Sequence, residues 1–276
     1  MVRMMPEQFS KQSTEQSTEQ PTEKLGAPTI LACDTTQQAC SVALLMPDGA
    51  VLAKSEIMAR GHAEILPVML DDIMRQGGCD FAALDRLAVT VGPGTFAGVR
   101  VGLAAMRSIA LACSAEIYPV TTTHAMACTA AGLMDEPLPL GVAIDARRDQ
   151  LYTQFFATGA APLDGALADP QAIPVTGAAA AVDLFTSQFT SQFTGQIGVL
   201  GTGAAQLAAL FNALPDAPLT PVMLPELGVP DMPDPAVIAR MVVGQTAPTR
   251  PAPVEPLYLR PPDAALPATN QQVARK

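Results

Sequence analysis

Only two histidines, His62 and His124, occur in the 276 residues, so a metal centre would have to draw most of its ligands from carboxylates. The five cysteines, Cys33, Cys40, Cys79, Cys113 and Cys128, form no C-x-x-C pair and no zinc spacing. They are expected to be reduced and buried, which fits a cytoplasmic compartment where thiols stay free. Basic residues are scarce: 16 Lys and Arg stand against 26 Asp and Glu, a formal charge of −10. A nucleic-acid binder needs a basic face to neutralise phosphates, so tight direct RNA binding is disfavoured unless Arg100, Arg107, Arg147 and Arg148 converge in the fold. No run of 18 apolar residues without charges is present, so no membrane span is expected. Residues 1–28 open with a polar repeat, Ser13-Thr14-Glu15-Gln16 then Ser17-Thr18-Glu19-Gln20, and lack the apolar core of a secretion signal. They are expected to form a disordered tail.

What is present suits an α/β protein. Hydrophobic residues make up 49% of the chain, enough to fill the cores of two lobes. Alternation and turn residues predict strands over residues 29–34, 39–45 and 51–57, with Pro47-Asp48-Gly49 turning the second into the third. A helix over residues 63–76, a strand over 87–91, a helix over 99–113, a strand over 116–120 and a helix over 122–131 complete a first lobe, residues 29–135. A second lobe, residues 136–246, has strands over 140–145 and 150–156. It continues with a strand over 197–200 and helices over 204–213 and 234–243. Residues 157–196 carry a small duplication, Thr186-Ser187-Gln188-Phe189 and Thr190-Ser191-Gln192-Phe193, and read as a variable insertion or loose helix. Residues 247–276 read as a Pro-rich extended tail.

The segment Gly92-Pro93-Gly94-Thr95-Phe96-Ala97-Gly98-Val99-Arg100-Val101-Gly102 turns a buried strand into a helix with few side chains in between. Its glycines permit positive φ or close backbone contact. Such a loop could offer N–H groups and a helix N-terminus to an anion, or could be a tight turn that only allows packing. It is neither G-x-G-x-x-G nor a lysine-bearing phosphate loop.

This segment resembles the signature of the TsaB (YeaZ-like) family, GPGSFTGVRIG. Other pieces agree in order: Ile30-Leu31-Ala32-Cys33-Asp34-Thr35, Ala39-Cys40-Ser41-Val42-Ala43, His62 with Ile65-Leu66-Pro67, Ile144-Asp145-Ala146-Arg147-Arg148 with Tyr152, and Glu255-Pro256-Leu257-Tyr258-Leu259-Arg260. Thr95 and Ala97 replace the signature's Ser and Thr, and Gln150 stands where Glu is usual. The resemblance implies a two-lobed actin/sugar-kinase-like (ASKHA) fold of two ribonuclease H-like lobes, the second reduced. Members of that superfamily hold phosphates between two Asp-led turns. Here the first turn, from Asp34 and Thr35, has no glycine, the second, Asp145 with Arg147, carries guanidinium groups, and Gly201-Thr202-Gly203 is a partial adenosine loop. The metal-binding paralogue, TsaD, has an H-x-x-x-H pair where His62 is followed by Leu66, so no metal site is expected here. Neither a Ser-His-Asp nor a Cys-His set can be assembled.

The resemblance therefore implies a noncatalytic subunit that pairs with TsaD and, with the ATPase TsaE, serves threonylcarbamoyl addition to N6 of adenosine 37 in tRNAs reading codons that start with A. ATP, magnesium and a metal would belong to the partners, and tRNA would be met only through the complex. The second helix of that reading, over residues 99–113, is nearly apolar all round, and the first, over residues 63–76, has an apolar stripe wider than one sheet contact requires, which marks them as core or as a binding surface. The expected partner interface is His62, Ile65, Leu66, Met69, Leu70 and Ile73 with Val99, Leu103, Met106 and Arg107; the glycine loop and degenerate cleft comprise Asp34, Thr35, Gly92, Gly94, Thr95, Gly98, Arg100, Asp145, Arg147, Gly201 and Gly203. The same helices could make a homodimer when the chain is alone. The alternative is a self-sufficient nucleotide-dependent transferase or phosphotransferase of the same fold.

Overall fold

A computed structural model describes residues 27–157, 166–176, 195–213, 219–246 and 254–260. Ten strands form two five-stranded sheets, ordered β3-β2-β1-β4-β5 and β8-β7-β6-β9-β10. In the first lobe β1 (Ile30–Asp34), β2 (Ala39–Leu45) and β3 (Val51–Ile57) are antiparallel neighbours, while β4 (Arg86–Thr90) and β5 (Glu116–Val120) run parallel to β1. The second lobe repeats the pattern: β6 (Leu140–Asp145) and β7 (Gln150–Phe156) pair antiparallel, β8 (Gln171–Pro174) lies outside β7, and β9 (Gly195–Leu200) and β10 (Leu219–Met223) run parallel to β6. Two sheets of one strand order, each with its second strand reversed, are the two ribonuclease H-like lobes of an ASKHA fold.

Two of these strands, β8 and β10, answer to no sequence expectation. Strand β8 lies inside residues 157–196, read as an insertion or loose helix; its edge position and four-residue length give little alternation to see. Strand β10 contains Pro221, which an edge strand accepts because one side of its backbone needs no partner. The tail expected at residues 1–28 and the 186–193 duplication lie outside the described residues, apart from residues 27 and 28.

Burial on both faces explains the apolar run Ile30–Cys33 of β1, every residue of which is inaccessible to solvent. Helices α1 (His62–Gln76) and α2 (Phe96–Cys113) cover one face of the first sheet, packing Leu66, Met69, Ile73, Leu103 and Met106 onto Leu31, Val42, Leu44 and Leu87. The other face is covered by α5 (Pro235–Met241), which returns from the second lobe to set Ile238 and Ala239 against Ile30, Ala32 and Ala43. Asp234 caps that helix by accepting from Ala236 N, with Pro235 in the first turn, as the Asp-Pro pair predicts. Helix α3 (Thr122–Ala131) is buried all round because it lies between the lobes: Ala125 and Cys128 join the first core, and Met126, Ala127 and Ala130 the second. Helix α4 (Ala204–Asn212) covers the outer face of the second sheet.

Candidate functional site

The side chains expected at a partner interface are mostly inside the chain's own first core. Leu66, Met69, Leu70, Ile73, Val99, Leu103 and Met106 are all buried. A helix laid on a sheet turns its most apolar stripe inward, so the stripe that reads as a docking face is the packing face. His62 and Ile65 are half-buried, and Arg107 is exposed with its guanidinium on the carbonyl of Val254. The outward face of α2 is poorly charged, with Arg100 and Arg107 its only charges, whereas that of α1 carries Glu64, Asp71 and Arg75. Val68 is 55% exposed and Leu111 89%, with Ala63, Pro67, Ala104 and Ala112 exposed beside them. By length and composition α2 is apolar enough to cross a membrane, but Arg100 and Arg107 interrupt it and its inner stripe packs on its own sheet.

The glycine loop is filled by the chain itself. A Cβ on Gly94 would lie 2.4 Å from the carbonyl oxygen of Thr36, and one on Gly98 only 1.9 Å from that of Thr35. The loop docks on the β1–β2 turn: Thr95 N donates to Thr36 O (2.8 Å) and the Thr35 hydroxyl to Gly98 O (2.6 Å). Thr95 also caps α2, accepting from Gly98 N at 3.2 Å, which starts the helix three residues before the expected position. The approach these glycines permit is that of the Asp34–Gln38 turn.

That turn is also closed to phosphate. Asp34 is fully buried, and its Oδ1 accepts from Thr36 N (3.1 Å), the Thr36 hydroxyl (2.6 Å) and the Thr90 hydroxyl (2.5 Å). Its Oδ2 is buried without a partner. Burial pushes the carboxyl above its usual range, opposed by the bonds from Thr36 and Thr90 and more weakly by His62. Thr35 and Thr36 are buried, so no row of free backbone N–H groups faces the cleft. Among the described residues no three His, Cys, Asp or Glu side chains gather to hold a metal ion, and the single His62 beside Asp34 does not make such a site.

The second turn differs. Asp145 closes a short local turn, its Oδ1 accepting from Arg147 N at 2.8 Å and its Oδ2 lying 3.5 Å from the Arg147 guanidinium. Arg147, Arg148 and Asp149 all have positive φ, at 62°, 54° and 53°. Three consecutive non-glycine residues in the left-handed region carry real backbone strain. Gly201 packs on β6 and Gly203 on β7, where added Cβ atoms would lie 2.2 Å from Ala143 O and 2.5 Å from the Leu151 side chain.

Between the two turns lies a cleft of about 670 Å³, bordered by Gln37, Phe96, Asp145, Arg147, Thr202 and Tyr258 among others. Its mouth is formed by residues 254–260, which were read only as extended tail. This strap is tied down along its length: Leu257 N donates to Val91 O at 2.7 Å, and Leu257 O lies where a Cβ on Gly92 would come within 2.9 Å. Arg260 donates to Ala146 O and Gln150 Oε1, each at 3.1 Å, joining the strap to the second lobe. Tyr258 stacks on Phe96 with ring centroids 5.2 Å apart and accepts from Arg100 Nε at 2.8 Å. Arg100 and Arg147 thus come to the same cleft, while Arg107 sits two turns along α2. Only the motif Glu255–Arg260 marked this segment in the sequence, and nothing there showed that it crosses both lobes.

Three of the five thiols are withdrawn from solvent. Cys33, Cys40 and Cys128 are buried, and burial pushes Cys40 to about 11 and Cys128 to about 12; Cys79 and Cys113 are half-buried rather than buried.

The family model described as TsaD, tRNA N6-adenosine threonylcarbamoyltransferase, matches residues 53–176. The tRNA threonylcarbamoyladenosine biosynthesis protein TsaB of Haemophilus influenzae is 36% identical over 124 residues, 45% of this chain and 52% of that protein. Its Escherichia coli namesake is 37% identical over 123 residues, again covering 52% of the relative. The chain spans about half the length of these curated relatives. An uncharacterized Mycobacterium tuberculosis protein is 29% identical over 238 residues, 86% of this chain and 93% of the relative. Among solved structures, a Pseudomonas aeruginosa protein described as similar to peptidase YEAZ has a TM-score of 0.63 at 25% identity, covering 84% of this chain and all of the other.

Proposed function

From the chain's membership of the TsaB (YeaZ-like) family, we propose that it is a noncatalytic subunit in threonylcarbamoyl addition to N6 of adenosine 37 of tRNA. Its task is to bind and activate TsaD. The observation that carries this reading is the closure of the Asp34–Gln38 turn by the glycine loop: a superfamily member that worked on a phosphate would leave that turn open. The surface that remains to act is the outer face of α1 and α2, where Val68 stands exposed among Glu64, Asp71 and Asp72, and Leu111 one turn beyond Arg107. TsaE completes the assembly. ATP, magnesium and a metal belong to the partner subunits, and the work is done in the cytoplasm. Without TsaD the same face would pair two copies of this chain.

Mixing the full chain with TsaD should give a 1:1 heterodimer by light scattering. Val68→Asp with Leu111→Asp should abolish it while leaving the melting temperature of the isolated chain nearly unchanged, because both side chains are already in water. A tRNA modification assay should lose product when this chain is omitted. Micromolar ATP binding and turnover by the isolated chain, lost in Asp34→Asn, would instead establish the self-sufficient transferase.

A further inference from the structure

Among the described residues four strands form the open edges of the two sheets, β3 and β5 in the first lobe and β8 and β10 in the second. An edge strand offers unpaired backbone N–H and C=O groups to any strand that meets it, and a proline blunts the edge by removing a donor. Pro119 lies in β5, Pro174 in β8 and Pro221 in β10. Strand β3 has none, and it is the longest of the four. Its pairing with β2 runs from Val51 to Ile57 without a bulge. Met58 N donates to Gln38 O, so by the alternation of an antiparallel ladder Leu52, Lys54 and Glu56 turn their main-chain groups to β2, while Ala53, Ser55 and Ile57 turn theirs outward. Those same three residues are exposed, Ile57 by 81%.

We propose that β3 is a docking edge for a second copy of this chain, the two β3 strands pairing antiparallel about a two-fold axis so that the first-lobe sheets join. The charges on the strand choose the register. With the axis at Ser55, Ala53 faces the partner's Ile57 through the outward main-chain groups, and Lys54 faces the partner's Glu56, each contact repeated across the axis. Moving the axis one residue either way sets Lys54 against the partner's Lys54, or Glu56 against the partner's Glu56, and like charges directly opposite oppose association. Within its own chain Lys54 is already shared between Glu56 and Asp72, at 3.5 and 3.7 Å. An ammonium has three donors and can add a further carboxylate, so the charges fix register while the main-chain bonds hold the strands. This edge is separate from the outer face of α1 and α2, and the inference does not rest on the function proposed above. Pairing over residues 53–57 buries less than the roughly 1,200 Å² of a stable dimer, so association is weak, with a Kd on the order of 100 µM. Chains weighed with TsaD at low micromolar concentration therefore remain 1:1.

The test is sedimentation velocity on the full chain carrying Val68→Asp with Leu111→Asp, which takes the α1–α2 face out of play, from about 10 µM to about 500 µM. Monomer is expected to give way to dimer across that range. Ser55→Pro removes the outward N–H at the axis and no bond to β2, so it should weaken association about tenfold or more with little change in melting temperature. Lys54→Glu and Glu56→Lys, each alone, should weaken it about fivefold, and the two together should restore it, because the exchanged charges still meet across the axis. A chain that stays monomeric throughout, as it would if a segment of the same chain covered the edge, would overturn the proposal. Undiminished dimerisation of Ser55→Pro, single charge changes without effect, or a charge exchange that fails to restore pairing would overturn it too. Failure to pair with TsaD would defeat the proposed function and leave this measurement standing.

Discussion

The two Asp-led turns occupy the same topological place in two sheets of identical strand order, yet one is sealed and the other strained. In the first lobe Asp34 ends β1 inside the core, and the glycine loop lies on the turn behind it. In the second Asp145 ends β6 at the cleft, and the turn beyond it bulges into solvent through three left-handed residues. The shared topology therefore sets where the turns lie but not what they can do. Burial and the neighbours that each turn acquired decide that, and the comparison can be broken at four points.

The largest effect is expected at Gly98. A Cβ there would meet the Thr35 carbonyl at 1.9 Å, a contact with backbone that no rotamer change relieves. Gly98→Ala should cost more than about 3 kcal/mol by urea unfolding, because overpacking of this kind forces the loop off the turn. Gly132→Ala, whose nearest contact would be 3.5 Å, should cost less than about 1 kcal/mol. Equal costs would mean that the loop is not seated on the turn as described.

Asp34 gives a pH-dependent effect. Burial holds its carboxyl above the usual range, so the folded state binds that proton more tightly than the unfolded chain does. Its contribution is then fully present below the unfolded value of about 4 and is lost as pH rises through the folded value. Asp34→Asn removes the titration and keeps an oxygen for the Thr36 and Thr90 donors. The variant's stability relative to the parent should therefore increase from about pH 4 towards neutrality. A difference constant across that range would show that the buried carboxyl does not titrate with folding.

A smaller change tests how α2 begins. Thr95 caps it and also lends its N–H to Thr36. Thr95→Ala loses only the cap and should cost about 1 kcal/mol, with Thr95→Ser largely restoring it, as thermal unfolding would show. Full loss of the fold in Thr95→Ala would mean that the hydroxyl, rather than the backbone bond, anchors the loop.

Sequence reasoning located most strands and helices because their patterns are local: β2, β3, β5, β6 and β7 end where alternation and turn residues say they should. It placed Gly92, Gly94 and Gly98 in a close backbone approach without being able to say what approaches, since the Thr35 and Thr36 carbonyls are some sixty residues away in the chain. The apolar stripes of α1 and α2 are visible in the sequence, but a stripe that packs on the chain's own sheet looks the same as one that would meet a partner, so Leu66 and Leu103 read as docking residues although both are buried. The strap was hidden for a related reason. Its bonds run through main-chain groups and through Arg100, Arg107 and Arg260, whose spacing along the chain carries no period.

The second turn should respond in the opposite sense to the first. Asp149 sits at φ 53° and uses its carbonyl to accept from Val175 N, a bond that any residue can make. Glycine adopts that conformation without the Cβ cost, although it adds freedom to the unfolded chain. Asp149→Gly should therefore be neutral or stabilise by up to about 0.5 kcal/mol, measured as a small rise in melting temperature. A loss of stability comparable to that of Gly98→Ala would mean that the left-handed run is held by the Asp149 side chain, and the contrast between a sealed turn and a strained one would fail.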